Sequence, residues 1–130
     1  RRLARCGDNE GAPLLYTPVV RLPEPTLPMI VACALLAEPV RNPDYPITLV
    51  SYGSGPLKGR GNAGYGARFE TKIRNRVVTF CVAKDNVCNA PLGGRVGAIS
   101  DEHRSFYEKS STAKVTGELL AKLIAGRSGP

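Results

Sequence analysis

The chain has 130 residues, with 18 Lys and Arg against 11 Asp and Glu, one His, four Cys and no Trp. That length suits a single domain with a small core, and 42% hydrophobic with 22% charged residues excludes a disordered or collagen-like chain. The longest clean apolar run, Met29 to Ala37, falls well short of the roughly 18 residues of a membrane span.

The start, Arg1-Arg2, is polar, so any secretory leader is expected to have been removed. The net charge is +7, but the basic residues are scattered and only Arg68 to Arg76 is locally dense. Aromatic residues for stacking on bases are few. A solvated basic face is therefore expected, with no specific nucleic-acid partner. His103 lies far along the chain from any pair of cysteines, so a three- or four-ligand zinc site is not expected, nor any other metal or cofactor.

Cys6, Cys33, Cys81 and Cys88 are even in number, which in a small chain favours two disulfides and an oxidising, secreted setting. Three pairings are open. Cys81 and Cys88 could close a short loop, which would leave Cys6 for Cys33.

In chain order, Leu14 to Leu22 reads as extended, an edge strand around Pro18. Leu22 to Pro28 is a proline spacer that disfavours helix. Met29 to Ala37 reads as a short apolar helix ended by Pro39. Arg41 to Pro46 is rich in turn residues. Ile47 to Tyr52 reads as a buried strand. Gly53 to Gly66 holds many glycines and reads as a loop; it lacks the Gly-Lys-Ser/Thr of a phosphate loop. Arg76 to Val82 is a second strand. Asp85 to His103 is another glycine-rich loop. From Ser111 a helix is expected, with Val115, Leu119, Leu120, Leu123 and Ile124 on one face and Gly126 as its stop. The organisation is one domain over 1–130, Pro-rich and irregular over 1–46, with a core over 47–126. The fold class is α/β, a small, mainly parallel sheet flanked by helices. Ligands of such sheets bind beyond the carboxyl ends of the strands, where both glycine-rich loops begin.

The chemistry concentrates in Val77-Val-Thr-Phe-Cys-Val-Ala-Lys-Asp-Asn-Val-Cys88 and His103-Arg-Ser-Phe-Tyr107. Asp followed by His, both after strands, is the order of the acid and base in α/β hydrolases. A neutral imidazole takes the proton of a hydroxyl nucleophile, and the carboxylate fixes its tautomer and stabilises the imidazolium. The plainer alternative makes Asp85 a turn residue and His103 a helix-flanking one.

Cys-x-x-x-Asp-x-x-Cys directly after a strand, followed by a His and then an aromatic residue, resembles the C-terminal half of the cutinase family, which are secreted α/β-hydrolase serine esterases. Leu49-Val-Ser-Tyr52 with the glycines after it resembles the strand that precedes this segment in the family. The resemblance covers roughly Ile47 to Ile124. It implies that Asp85 and His103 are the acid and base of a triad and that Cys81 and Cys88 are bonded. The family's Gly-Tyr-Ser-x-Gly is not found here, and its N-terminal strands are not recognised. Ser51 is the first candidate nucleophile. Thr17, which Pro18 follows, is the second.

Two readings of function follow. In the first, the protein is a secreted carboxylic ester hydrolase acting through an acyl-enzyme, with an ester as its substrate. In the second, it is a catalytically inactive effector or inhibitor that binds a host protein on a degraded hydrolase scaffold. In either, another chain could complete the sheet. A basic ribonuclease using His103 with Arg104 or Glu102 ranks third.

Overall fold

A computed structural model describes residues 3–8, 29–45, 47–52, 55, 57–64, 71–92 and 97–126, with only the backbone described for 3–8 and 71–72. The strands are β1 (Leu3–Asp8), β2 (Ile30–Leu36), β3 (Thr48–Tyr52) and β4 (Val77–Val82). The helices are α1 (Thr71–Arg74), α2 (Asp101–Ser105) and α3 (Ser110–Gly126). The sheet runs in the order β1-β2-β4-β3, and each neighbouring pair is parallel. This is the expected α/β class. All four strands point the same way, so their carboxyl ends share one rim, which carries Asp8, Leu36, Val82 and Tyr52.

β2 corrects the helix expected over Met29 to Ala37. Its seven residues are all buried. A strand covered on both faces reads as a continuous apolar run, which periodicity cannot separate from a buried helix. The position decides. β2 sits between β1 and β4, with Cys33 opposite Val77 and Leu36 opposite Phe80. β1 and β2, two of the four strands among the described residues, thus come from the 1–46 stretch that reads as irregular.

β4, the second central strand, is also buried throughout. Its Val78, Phe80 and Val82 form one cluster with Ala34, Leu36, Ala37 and Tyr107, against which α3 packs Leu119, Leu120 and Leu123. Burying a side chain such as Phe80 stabilises by roughly 1.5–3 kcal/mol. The apolar face of α3 is narrower than expected. Val115 is 41% exposed, and Thr112 and Thr116 are buried instead. Thr116 Oγ1 lies 3.0 Å from the Tyr52 hydroxyl, a hydrogen bond that ties α3 to β3.

β3 is an edge strand rather than a buried one, and Thr48, Leu49 and Ser51 are exposed. Arg41 to Tyr45 is a turn-rich connector, as expected. Residues 57–64 are irregular apart from an antiparallel bridge between Arg60 and Ala90. The expected edge strand at Leu14 to Leu22 and the proline spacer to Pro28 lie outside the described residues.

Candidate active site

Two loops at the carboxyl rim build the site. The first leaves β4. Its turn is set by the Asp85 amide, which donates to the Val82 carbonyl at 2.9 Å, and is closed by the Cys81–Cys88 disulfide. The side chain of Asp85 is fully buried. Its Oδ1 accepts from the Val87 amide at 2.8 Å, and its Oδ2 accepts from the Tyr107 hydroxyl at 2.8 Å. Buried carboxylates are retained only where such donors replace water.

The second loop leads into α2. Ser100 caps this helix from an extended backbone, its Oγ accepting from the His103 amide at 3.3 Å. Asp101 and Glu102 fill the first turn, where negative charge suits the helix dipole. His103 therefore stands within a short helix, not in the loop where it is expected. Its Nδ1 lies 3.0 Å from Asp85 Oδ1 and 3.1 Å from Oδ2. The ring is nearly enclosed, with a side-chain exposure of 9%, and its edge meets the Tyr107 ring at 6.5 Å between centroids.

A carboxylate only accepts, so Nδ1 carries the proton and the lone pair of a neutral imidazole falls on Nε2. Nε2 has no hydrogen-bond partner among the described residues. An imidazole held in this tautomer, with one nitrogen left to receive a proton, has the geometry that general-base chemistry on a hydroxyl requires.

Arg41 underpins the acid loop. Its Nε donates to the Cys88 carbonyl at 2.6 Å, and its guanidinium also reaches the Gly59 carbonyl and Asn89 Oδ1. Asn89 accepts from the Gly59 amide at 2.8 Å and donates to the Ala83 carbonyl at 2.8 Å. The 57–61 segment and the disulfide loop are thus sewn into one wall. An open cleft of about 330 Å³ lies along it, lined by Lys58, Gly59, Asn89, Pro91 and Leu92. Glu38, two residues beyond β2, is 2% exposed and takes a hydrogen bond from Thr79 Oγ1 at 3.3 Å. Burial pushes its carboxyl up to about 7, against the opposing pull of the Thr79 hydrogen bond and the Arg41 charge.

The structure brings Asp85 and His103 together and bonds Cys81 to Cys88. It does not bring Ser51 to the imidazole. Ser51 sits exposed on the edge strand, in register with Cys81, and is not among the hydrogen-bond partners of His103. Thr17 and the side chain of Cys6 lie outside the described residues, and with them the expected Cys6–Cys33 pairing. Tyr107 and Asn86 enter the site unforeseen. Tyr107 stands in sequence only as an aromatic residue after His103, and nothing local marks Asn86.

The parallel arrangement also places Asp8, the end of β1, on the carboxyl rim. From Gly7 the sequence reads Gly7-Asp8-Asn9-Glu10-Gly11, of which residues 9–11 lie outside the described residues. Its glycines are spaced as in the Gly-x-Ser-x-Gly nucleophile elbow, with Asn9 at the position of the serine.

Among solved structures the chain is similar to an acetyl xylan esterase, known from an iodinated complex, with a TM-score of 0.64 and 15% identity, over 98% of this chain and 60% of that chain. The fold is that of an α/β esterase. The likeness extends over nearly the whole chain, not only from Ile47 onward. The chain spans about 60% of that esterase's length. No protein-family profile matches the chain, and no curated protein matches it.

Proposed function

We propose that the protein is a secreted, cutinase-like carboxylic ester hydrolase in which Asp85 and His103 are the acid and base. The observation that carries this reading is the contact between His103 Nδ1 and the buried Asp85 carboxylate, 3.0 Å on an esterase-like fold. His103 Nε2 takes the proton of a hydroxyl nucleophile as its oxygen attacks the ester carbonyl. The imidazolium, stabilised by Asp85, returns that proton to the departing alcohol. Water then repeats the sequence on the acyl-enzyme, releasing the acid and restoring the hydroxyl. Of the two hydroxyls the sequence offers, Ser51 makes no hydrogen bond to His103 among the described residues and would have to approach it on substrate binding, and Thr17 lies outside the described residues. The disulfide supports an oxidising compartment.

A short-chain p-nitrophenyl ester tests this. Turnover is expected with the wild type and its loss with His103→Ala. Folded wild type without turnover overturns the reading.

The second reading, a non-hydrolytic binding protein on a hydrolase scaffold, is favoured by Asn9. An asparagine amide cannot lose a proton to imidazole and attack an ester as a hydroxyl does. This reading expects the wild type to resist a fluorophosphonate probe, and Asn9→Ser to become labelled at residue 9 only while His103 is intact. Labelling of wild-type Ser51 or Thr17 excludes it.

A further inference from the structure

α2 is five residues long, too short to hold its own orientation in water. The direction of the His103 ring must therefore be set from outside the helix. Asp85 holds the ring itself. The residue after it holds the backbone.

Asn86 makes three hydrogen bonds to the segment that leads into α2. Its Oδ1 accepts from the Ser100 amide at 2.9 Å. Its Nδ2 donates to the Ala98 carbonyl at 2.7 Å. Its own amide donates to Ser100 Oγ at 3.3 Å. That same Ser100 Oγ accepts from the His103 amide at 3.3 Å. The path from the acid loop to the base is thus continuous, from Asn86 through Ser100 to His103. It runs parallel to the direct Asp85–His103 contact.

We infer that Asn86 is a positioning residue, which fixes His103 against Asp85 by holding Ala98 and Ser100 to the disulfide-closed loop. The catalytic use of this device rests on the ester-hydrolase reading; the positioning itself does not. The side chain must be an amide. An acceptor for Ser100 and a donor for Ala98 are needed at once, and asparagine supplies both from one short stem. Without the clip, α2 swings with His103 on it, and Nδ1 spends less time on the carboxylate. A displacement of about 1 Å at a reacting group costs up to roughly 100-fold in rate.

The experiment compares the wild type with Asn86→Ala and Asn86→Asp, the latter keeping the acceptor for Ser100 and losing the donor to Ala98. Two quantities are read: the slowly exchanging His103 Nδ1 proton in the NMR spectrum, and kcat and KM for a p-nitrophenyl ester. In the wild type the proton signal is expected to be present. It is expected to be lost in Asn86→Ala and weakened in Asn86→Asp, with kcat falling roughly 10–100-fold in Asn86→Ala while KM stays within about twofold. Should Asn86→Ala fail to fold, Asn86→Asp carries the comparison. A folded variant with its proton signal and kcat unchanged, whatever its melting temperature, overturns the inference. If the wild type turns over no ester yet the proton signal depends on Asn86, the positioning stands and only the hydrolase reading fails.

Discussion

The Tyr107 hydroxyl accepts from the Val82 amide at 3.0 Å and donates to Asp85 Oδ2 at 2.8 Å. One phenol thus links the last residue of β4 to the acid that follows it. The direction is forced. An amide can only donate, so the hydroxyl proton goes to the carboxylate. Tyr107 therefore supplies one of the donors that a fully buried carboxylate needs, since an unpaired one is costly.

Tyr107→Phe removes this link while keeping the ring that packs against Phe106 at 5.6 Å between centroids. It strands the buried Val82 amide and leaves Asp85 Oδ2 with His103 Nδ1, at 3.1 Å, in place of two donors. A loss of about 1–3 kcal/mol is expected, read as a lower urea midpoint with an unchanged slope. Ester turnover is expected to fall with it, because Asp85 is then held by fewer donors. A variant as stable as the wild type would show that water replaces the phenol.

The Cys81–Cys88 bond closes a loop with a sequence separation of only 7. In the chain-entropy account such a small loop contributes about 2–3 kcal/mol. The bond spans Asp85, so its loss also frees the carboxylate. Replacing both cysteines with serine is expected to lower the melting temperature by several degrees and ester turnover by a larger proportion than the stability loss explains. Equal turnover per folded molecule would mean that Arg41 and Asn89 hold the loop alone.

The parts of the site legible in sequence are those whose chemistry is local. A β-rich run, a carboxylate and two cysteines within twelve residues point to a pinned acid after a strand, and the lone His is conspicuous. The sheet around them is not local. β2 is apolar along its whole length because both its faces are covered, and nothing within Ile30 to Leu36 separates that from a buried helix. β1, with arginine and aspartate in six residues, carries no alternating pattern, and its parallel pairing with β2 depends on residues some 27 positions away. Asn86 falls inside the stretch that reads as a glycine-rich loop, and its role appears only once Ala98 and Ser100 come back to meet it.

Gly61 shows how tightly the wall beside the site is built. Its amide donates to the Arg41 carbonyl at 2.8 Å, and the next two amides donate to Val87 and Pro39 carbonyls. A Cβ at this position would collide with the Pro39 carbonyl and the Arg41 amide, which are backbone and cannot swing aside. Gly61→Ala is expected to cost at least about 1–3 kcal/mol. At Gly97 a Cβ meets nothing within 4 Å, so Gly97→Ala serves as the neutral control in the same denaturation series. A Gly61→Ala protein as stable as the Gly97→Ala one would mean that the 57–64 segment shifts without penalty.

Glu38 gives the pH dependence a sign. Its carboxyl is held at about 7 in the fold, against 4.5 as the ordinary value. Burial is the main cause, opposed by the Thr79 hydrogen bond and the Arg41 charge. Between these two values the folded protein holds a proton that the unfolded chain releases. Stability is therefore expected to fall as pH rises from about 4.5, and to level off above about 7. The full difference is on the order of 3 kcal/mol at 1.36 kcal/mol per unit. Glu38→Gln keeps the shape and an acceptor for Thr79 but cannot ionise. The wild type should lose stability relative to Glu38→Gln across that window, and the two curves should run parallel above it. Thermal unfolding at several pH values from 4 to 8 measures this, and parallel curves throughout would show that Glu38 ionises in the fold as it does in water.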